Sequence, residues 1–178
     1  YKISEVVDAT PHNSLVSLLA KVASLICTVS VIHIFANLVA ILYQLGNGYT
    51  NIELGIYLQT FFFDTLPSYV FWSMFFVFIQ IIIDNKYVGY FFSILLLFFL
   101  DIFFLIFELQ SNMLMLGRTP NYIYSVMNGF GAAFTGVHWF YLYWLFTGSL
   151  MLGFAGLVWV RGTTSGFRNR LKSFKKHL

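Results

Sequence analysis

The stretch Ile94–Ile106, ILLLFFLDIFFLI, carries a single charged side chain, Asp101. A carboxylate in so apolar a run is expensive to desolvate, and such groups face a bundle interior or a wet cavity. Glu108 follows seven residues later, on the same helical face. A second polar set, Cys27, Ser30, His33, Asn37 and Gln44, falls within roughly a third of a helix circumference. A third, Ser73, Gln80 and Asp84, falls on one narrow line. Two kinds of chemistry suit these sets. One is a translocation path lined by polar groups. The other is interhelical hydrogen bonding, which Ser, Asn and Gln commonly supply. Both remain open from spacing alone, and His33, Asn37, Asp101 and Glu108 are the candidate path residues.

Other chemistries lack their residues. There is no HExxH, no CxxC pair, no P-loop and no G-x-S-x-G. The histidines are His12, His33, His138 and His177. A haem-binding anchor needs two at matching depth. His33 falls about 16 Å from the inner side of its span at 1.5 Å per residue, whereas His138 falls at the outer edge of another. The single cysteine allows no internal disulfide. No catalytic residue, metal site or cofactor site is assigned to this chain, and nucleic-acid binding is not needed to explain its basic tail.

The elements that must position these residues are apolar helices. Of 178 residues, 59% are hydrophobic and 10% charged, against about 25% charged in a soluble domain. The chain is therefore read as an all-α polytopic membrane protein. Residues 22–44, 67–83, 87–107 and 138–160 are each near the roughly 20 residues a spanning helix needs, and the second could borrow from Phe61–Phe63. The tail 161–178 holds Arg161, Arg168, Arg170, Lys172, Lys175 and Lys176 and no acid. Basic residues favour the cytoplasmic side, and four crossings return the N-terminus there. The turn Asp84–Lys86 is then inside. The loops 45–66, with Glu53 and Asp64, and 108–137 are outside.

The rest of the chain divides around those spans. Residues 1–21 predict a cytoplasmic amphipathic helix, capped near Asp8 and Thr10 with Pro11 in its first turn and with Leu15, Leu18 and Leu19 on one face. The outer segment 108–137 is too apolar for a solvated loop and too broken by glycine and Pro120 for a span. Such backbone dips into a membrane only against protein or a cavity. Ser149, Gly153 and Gly156 predict close helix packing. Trp139, Tyr141, Tyr143, Trp144 and Trp159 predict interface belts.

In this order the elements resemble the later part of a type-2 ABC exporter permease. The stretch EVVDATPHNSLVSLLAKVA fits that family's coupling segment through Glu5, Thr10–Pro11, Ser14 and Lys21. DATPHNSLV, NKYVGY, YIYSVMNGFG and WVRG further resemble bacterial fusions of such a permease with a zinc aminopeptidase. Val126 and Ala132 stand where those relatives often carry Asp and His. The resemblance implies short re-entrant helices in the outer loop and a partner ATPase subunit that holds ATP and Mg. It also implies a second permease half and a location in the bacterial inner membrane. It makes Glu5, Asp8, Pro11, His12, Asn13 and Ser14 the ATPase-contacting residues, and Asn128, Gly129 and Gly131 part of an outer gate. It implies, too, that the chain is a piece of a longer protein. The alternative from another class is a membrane anchor or scaffold for an attached catalytic domain such as an aminopeptidase.

Overall fold

A computed structural model describes residues 14–83, 85–108, 111–125 and 127–159, with the side chains of Ser14, Asp101 and Ala133 excepted. The expected docking residues Glu5, Asp8, Pro11, His12 and Asn13, together with Asp84 and the basic tail, lie outside the described residues.

The described chain is helical. Its elements are α1 (Ser14–Gly46), α2 (Leu54–Thr60), a π-helical turn (Phe61–Thr65), α3 (Leu66–Ile82), α4 (Lys86–Ile106) and α5 (Ala133–Val158). The β pairing among described residues is one isolated bridge, Ser125 to Gly129. Four segments are long and apolar enough to cross a membrane: Leu15–Gly46, Leu54–Ile82, Lys86–Ile106 and Phe134–Val158.

Helices α1 and α5 begin before the spans read from hydropathy, and α2 with the π turn extends the second span on its N-terminal side. Between Ser14 and Gly46 there is neither Gly nor Pro to break the hydrogen-bond ladder. Residues 14–21 are accordingly the first turns of α1 and not a separate short helix. Leu18 and Val22 are buried, whereas Leu15 and Leu19 face outward.

The expected outer loop 45–66 shrinks to residues 47–53, because α2, the π turn and α3 run on without interruption. Pro67 had marked a helix start. A proline within a helix withholds an N–H and crowds the preceding turn. Here the wider π turn lies directly before it, with the Leu66 N–H bonding to the Phe61 carbonyl five residues back, so the chain passes the proline without a break. Similarly, α5 begins at Ala133, so the second outer loop ends at residue 132.

Helix α3 is the hub and touches α1, α4 and α5. Its widest contact is with α5, whose buried residues Val137, Tyr141, Trp144, Gly148, Leu152, Ala155 and Val158 recur at three- and four-residue steps. Leu18 and Val22 of α1, Val77 and Ile81 of α3, and Leu152 and Ala155 of α5 close one apolar cluster. Lys21 Nζ lies 4.2 Å from the Trp159 ring, joining the same ends of α1 and α5. In contrast, α4 is peripheral. Asn85 caps it, its Oδ1 accepting from the Tyr87 and Val88 amides at 3.0 and 3.5 Å.

Two packing expectations are corrected. The closest small-residue contact on α5 is Gly148, where an added Cβ would lie 3.0 Å from Met74 Sδ. Gly153 faces open space, Ser149 bonds back to the Leu145 carbonyl of its own helix, and Gly156 meets Leu15 of α1 at ordinary contact distance. Tyr141 and Trp144 are buried against protein and do not form a lipid-interface belt, whereas Trp139 and Tyr143 are exposed.

Candidate functional site

The π turn Phe61–Thr65 touches both α1, which carries His33 and Asn37, and α5. Such turns are frequent at functional sites because they re-aim side chains inside an otherwise regular helix. Phe61 and Asp64 of this turn serve two different neighbours.

Phe61 faces α1. Its ring stacks on His33 with centroids 5.5 Å apart, and the Tyr69 hydroxyl of α3 lies 3.0 Å from His33 Nδ1 in a hydrogen bond. One turn further along α1, Asn37 joins His33, Ile56, Tyr57 and Thr60 around a pocket of about 260 Å³. Above it, Gln44 Nε2 donates to the Tyr57 hydroxyl at 2.9 Å. Below it, Ser30 Oγ is buried with no hydrogen-bond partner. An orphaned hydroxyl in the bundle costs about 1–3 kcal/mol, so this stripe of α1 is not fully satisfied by the single chain. Ser30, His33, Asn37 and Gln44 do share the half-buried face of α1. Cys27, grouped with them by spacing, is exposed.

Asp64 faces α5 and the loop between α4 and α5. The Tyr141 hydroxyl donates to Asp64 Oδ1 at 2.7 Å. Tyr122, in the loop, lies against the same carboxylate. Burial pushes its hydroxyl up to about 12, and the Asp64 charge and hydrogen bond add to the shift.

The loop between α4 and α5 is seated on the bundle by further contacts. The Trp144 indole N–H donates to the Arg118 carbonyl at 2.8 Å. Gly117, with φ +70°, rests so close to α3 that an added Cβ would fall 2.8 Å from Trp72 Cζ2. Phe130 stacks on Phe134 of α5 at 4.5 Å, Phe134 meets His138 at 4.6 Å, and His138 meets Phe63 of the π turn at 5.5 Å. A run of rings thereby connects the loop to the π turn.

The expected gate residues lie in this loop. Gly129 and Gly131 take left-handed φ of 57° and 65°, which glycine adopts at no steric cost. The Ser125–Gly129 pair exchanges amide hydrogen bonds of 2.9 and 2.8 Å, and the Gly131 amide bonds to the Asn128 carbonyl at 3.1 Å. This is a tight turn with Asn128 exposed. No helix forms in the described residues of 108–132, unlike the short re-entrant helices that the resemblance implies. Glu108 is exposed beyond the end of α4 with φ 49°, and it is not brought to His33 or Asn37. Asp101 lies within α4. Among the described residues, no three His, Cys, Asp or Glu side chains gather to hold a metal.

Sequence reasoning used Asp64 only for orientation and Tyr141 only as an interface aromatic. The one available signal was a carboxylate directly after three phenylalanines and close before a proline. Comparison of the chain with protein-family models, curated proteins and solved structures returns no match. The site therefore stands on its own geometry: a polar stripe on α1 and a carboxylate–tyrosine tie, joined through one π turn.

Proposed function

We propose that the chain is the later part of an ABC exporter permease, set in the bacterial inner membrane with both termini cytoplasmic, and that it couples a cytoplasmic ATPase to an outer pocket that His33 and Asn37 help to line. The observation that carries this reading is the continuity of α1. Its 33 residues span about 50 Å at 1.5 Å per residue. Its first turns carry Leu18 and Val22 into the core. Its later turns present His33, Asn37 and Gln44 to the α2–α3 segment. A displacement at one end of such a rod reaches the other, since packed helices shift as units.

The docking residues Glu5, Asp8, Pro11, His12, Asn13 and Ser14 precede or open this helix. The basic tail favours their placement in the cytoplasm. ATP and Mg belong to the partner subunit, and a second permease half completes the path and supplies partners for groups such as Ser30. The chain itself hydrolyses nothing in this reading.

The test uses the tagged full-length protein, purified from membranes of its own host, with vanadate-sensitive ATP hydrolysis as the readout. Changing Pro11, His12, Asn13 and Ser14 together to Ala is expected to lower the co-purifying activity by about tenfold or more, as loss of an interface hot spot does. Undiminished activity in the variant, or none with the wild type, contradicts the assignment.

A further inference from the structure

The pocket between α1 and α2 leaves much hydrogen-bonding capacity unused. Its described lining is His33, Asn37, Ile56, Tyr57 and Thr60, all half-buried. A carboxamide carries two donors and an acceptor, and that of Asn37 makes no hydrogen bond among the described residues. The Thr60 hydroxyl is likewise unpaired among them. The Tyr57 hydroxyl accepts from Gln44 at 2.9 Å, which leaves its own proton to donate. His33 is held in place, its Nδ1 by the Tyr69 hydroxyl at 3.0 Å and its ring by stacking on Phe61. The remaining wall is hydrocarbon, from Ile56 and the carbon atoms of the other four residues.

We infer that this pocket binds one small uncharged amphiphile, with an amide against Asn37 and Thr60 and an apolar body along Ile56. The described lining holds no Lys, Arg, Asp or Glu. An ion brought here from water would lose hydration with no counter-charge to replace it, whereas an amide loses less and regains hydrogen bonds. A primary amide also matches Asn37 donor for acceptor and acceptor for donor. The volume of about 260 Å³ falls just below the roughly 300–1,000 Å³ of drug-sized sites, which sets the ligand at the size of one ring or a short chain. The inference names the cargo class of the outer pocket and rests on the exporter reading for its transport, while binding itself is read without nucleotide.

The test is fluorine NMR of the full-length protein in phosphatidylcholine nanodiscs, with para-fluorobenzamide as the probe and empty nanodiscs as the blank. Para-fluorobenzoate and para-fluorobenzamidine have nearly the same shape and carry one negative and one positive charge at neutral pH. The wild type is expected to bind the amide about tenfold more tightly than either ion, or better. Asn37→Leu keeps the bulk, removes the carboxamide, and is expected to weaken amide binding about fivefold. Thr60→Phe keeps Asn37, fills the pocket from α2, and is expected to abolish binding. Helical circular dichroism and monodisperse elution follow folding, and the three probes on the wild type carry the test if neither variant folds. Equal binding of the three probes, or amide binding unchanged by both substitutions, overturns the inference. Amide binding by a protein that brings down no ATPase supports the ligand class and removes only its transport. ATPase activity without amide binding overturns the ligand class alone.

Discussion

Asp64→Leu is expected to lower thermal stability in detergent and to release the loop between α4 and α5 from the bundle. The carboxylate accepts the Tyr141 hydroxyl at 2.7 Å and bears on Tyr122. Tyr141 is 8% exposed, so water does not readily replace the lost acceptor. Each hydroxyl orphaned in this way costs about 1–3 kcal/mol. Tyr141→Phe removes one donor and is expected to cost less, since the carboxylate keeps other neighbours. The double variant is expected to cost less than the sum of the two, because the second change removes a group already orphaned. The measurement is the unfolding midpoint of the four proteins by intrinsic tryptophan fluorescence. Strict additivity would mean that the 2.7 Å bond carries no coupling energy.

Gly117→Ala is expected to unseat the same loop from its other side. A left-handed backbone costs a residue with a Cβ about 1–2 kcal/mol. The new Cβ would also meet Trp72 Cζ2 at 2.8 Å and Phe71 Cε1 at 3.0 Å. Phe71 is 1% exposed, so it has little room to give, and overpacking adds about 1–3 kcal/mol. Arg118 follows directly, and its carbonyl oxygen accepts the Trp144 indole N–H. Trypsin cleavage after Arg118 should therefore accelerate about tenfold or more, since each 1.4 kcal/mol of easier opening is a factor of ten. Gly46→Ala is the control, because a Cβ there meets nothing within 4 Å. Equal cleavage of Gly117→Ala and Gly46→Ala would show that the loop is not held through this contact.

The four helices long and apolar enough to cross a membrane were legible because apolar length is a local property of the chain. The polar stripe on α1 was legible for a related reason: helical spacing alone places Ser30, His33, Asn37 and Gln44 on one face. What that face meets was not. Tyr57, Phe61 and Tyr69 arrive from a segment whose helix continues through Pro67, and local rules read that proline as a beginning. The Asp64–Tyr141 bond joins residues 77 positions apart, a pairing that carries no period in sequence.

The glycines of α5 show the same limit. Gly148, Gly153 and Gly156 all suit close approach by composition, yet only the arrangement of α3 makes Gly148 the tight one. Aromatics near a helix end suit either a lipid interface or a protein neighbour. Trp144 and Tyr141 face protein, while Trp139 faces outward, and their residue types alone do not distinguish the two. The amphipathic start of α1 was legible as a helix but not as part of the span, because Lys21 looked like a boundary. Its ammonium instead lies on the Trp159 ring.

The central claim is that α1 carries a nucleotide-driven displacement to the pocket around His33 and Asn37. Cys27→Ser with Asn37→Cys leaves one thiol, since Cys27 is the sole cysteine of the chain. The variant complex, reconstituted in liposomes with its co-purifying ATPase, is reacted with a membrane-impermeant maleimide, without nucleotide and with ATP plus vanadate. Leu42→Cys in the same Cys27→Ser background, at an outward-facing position of α1, serves as the reference. The account predicts a several-fold change in labelling at position 37 between the two states and none at position 42. Identical labelling at position 37 in both states, while ATP is hydrolysed, would contradict it.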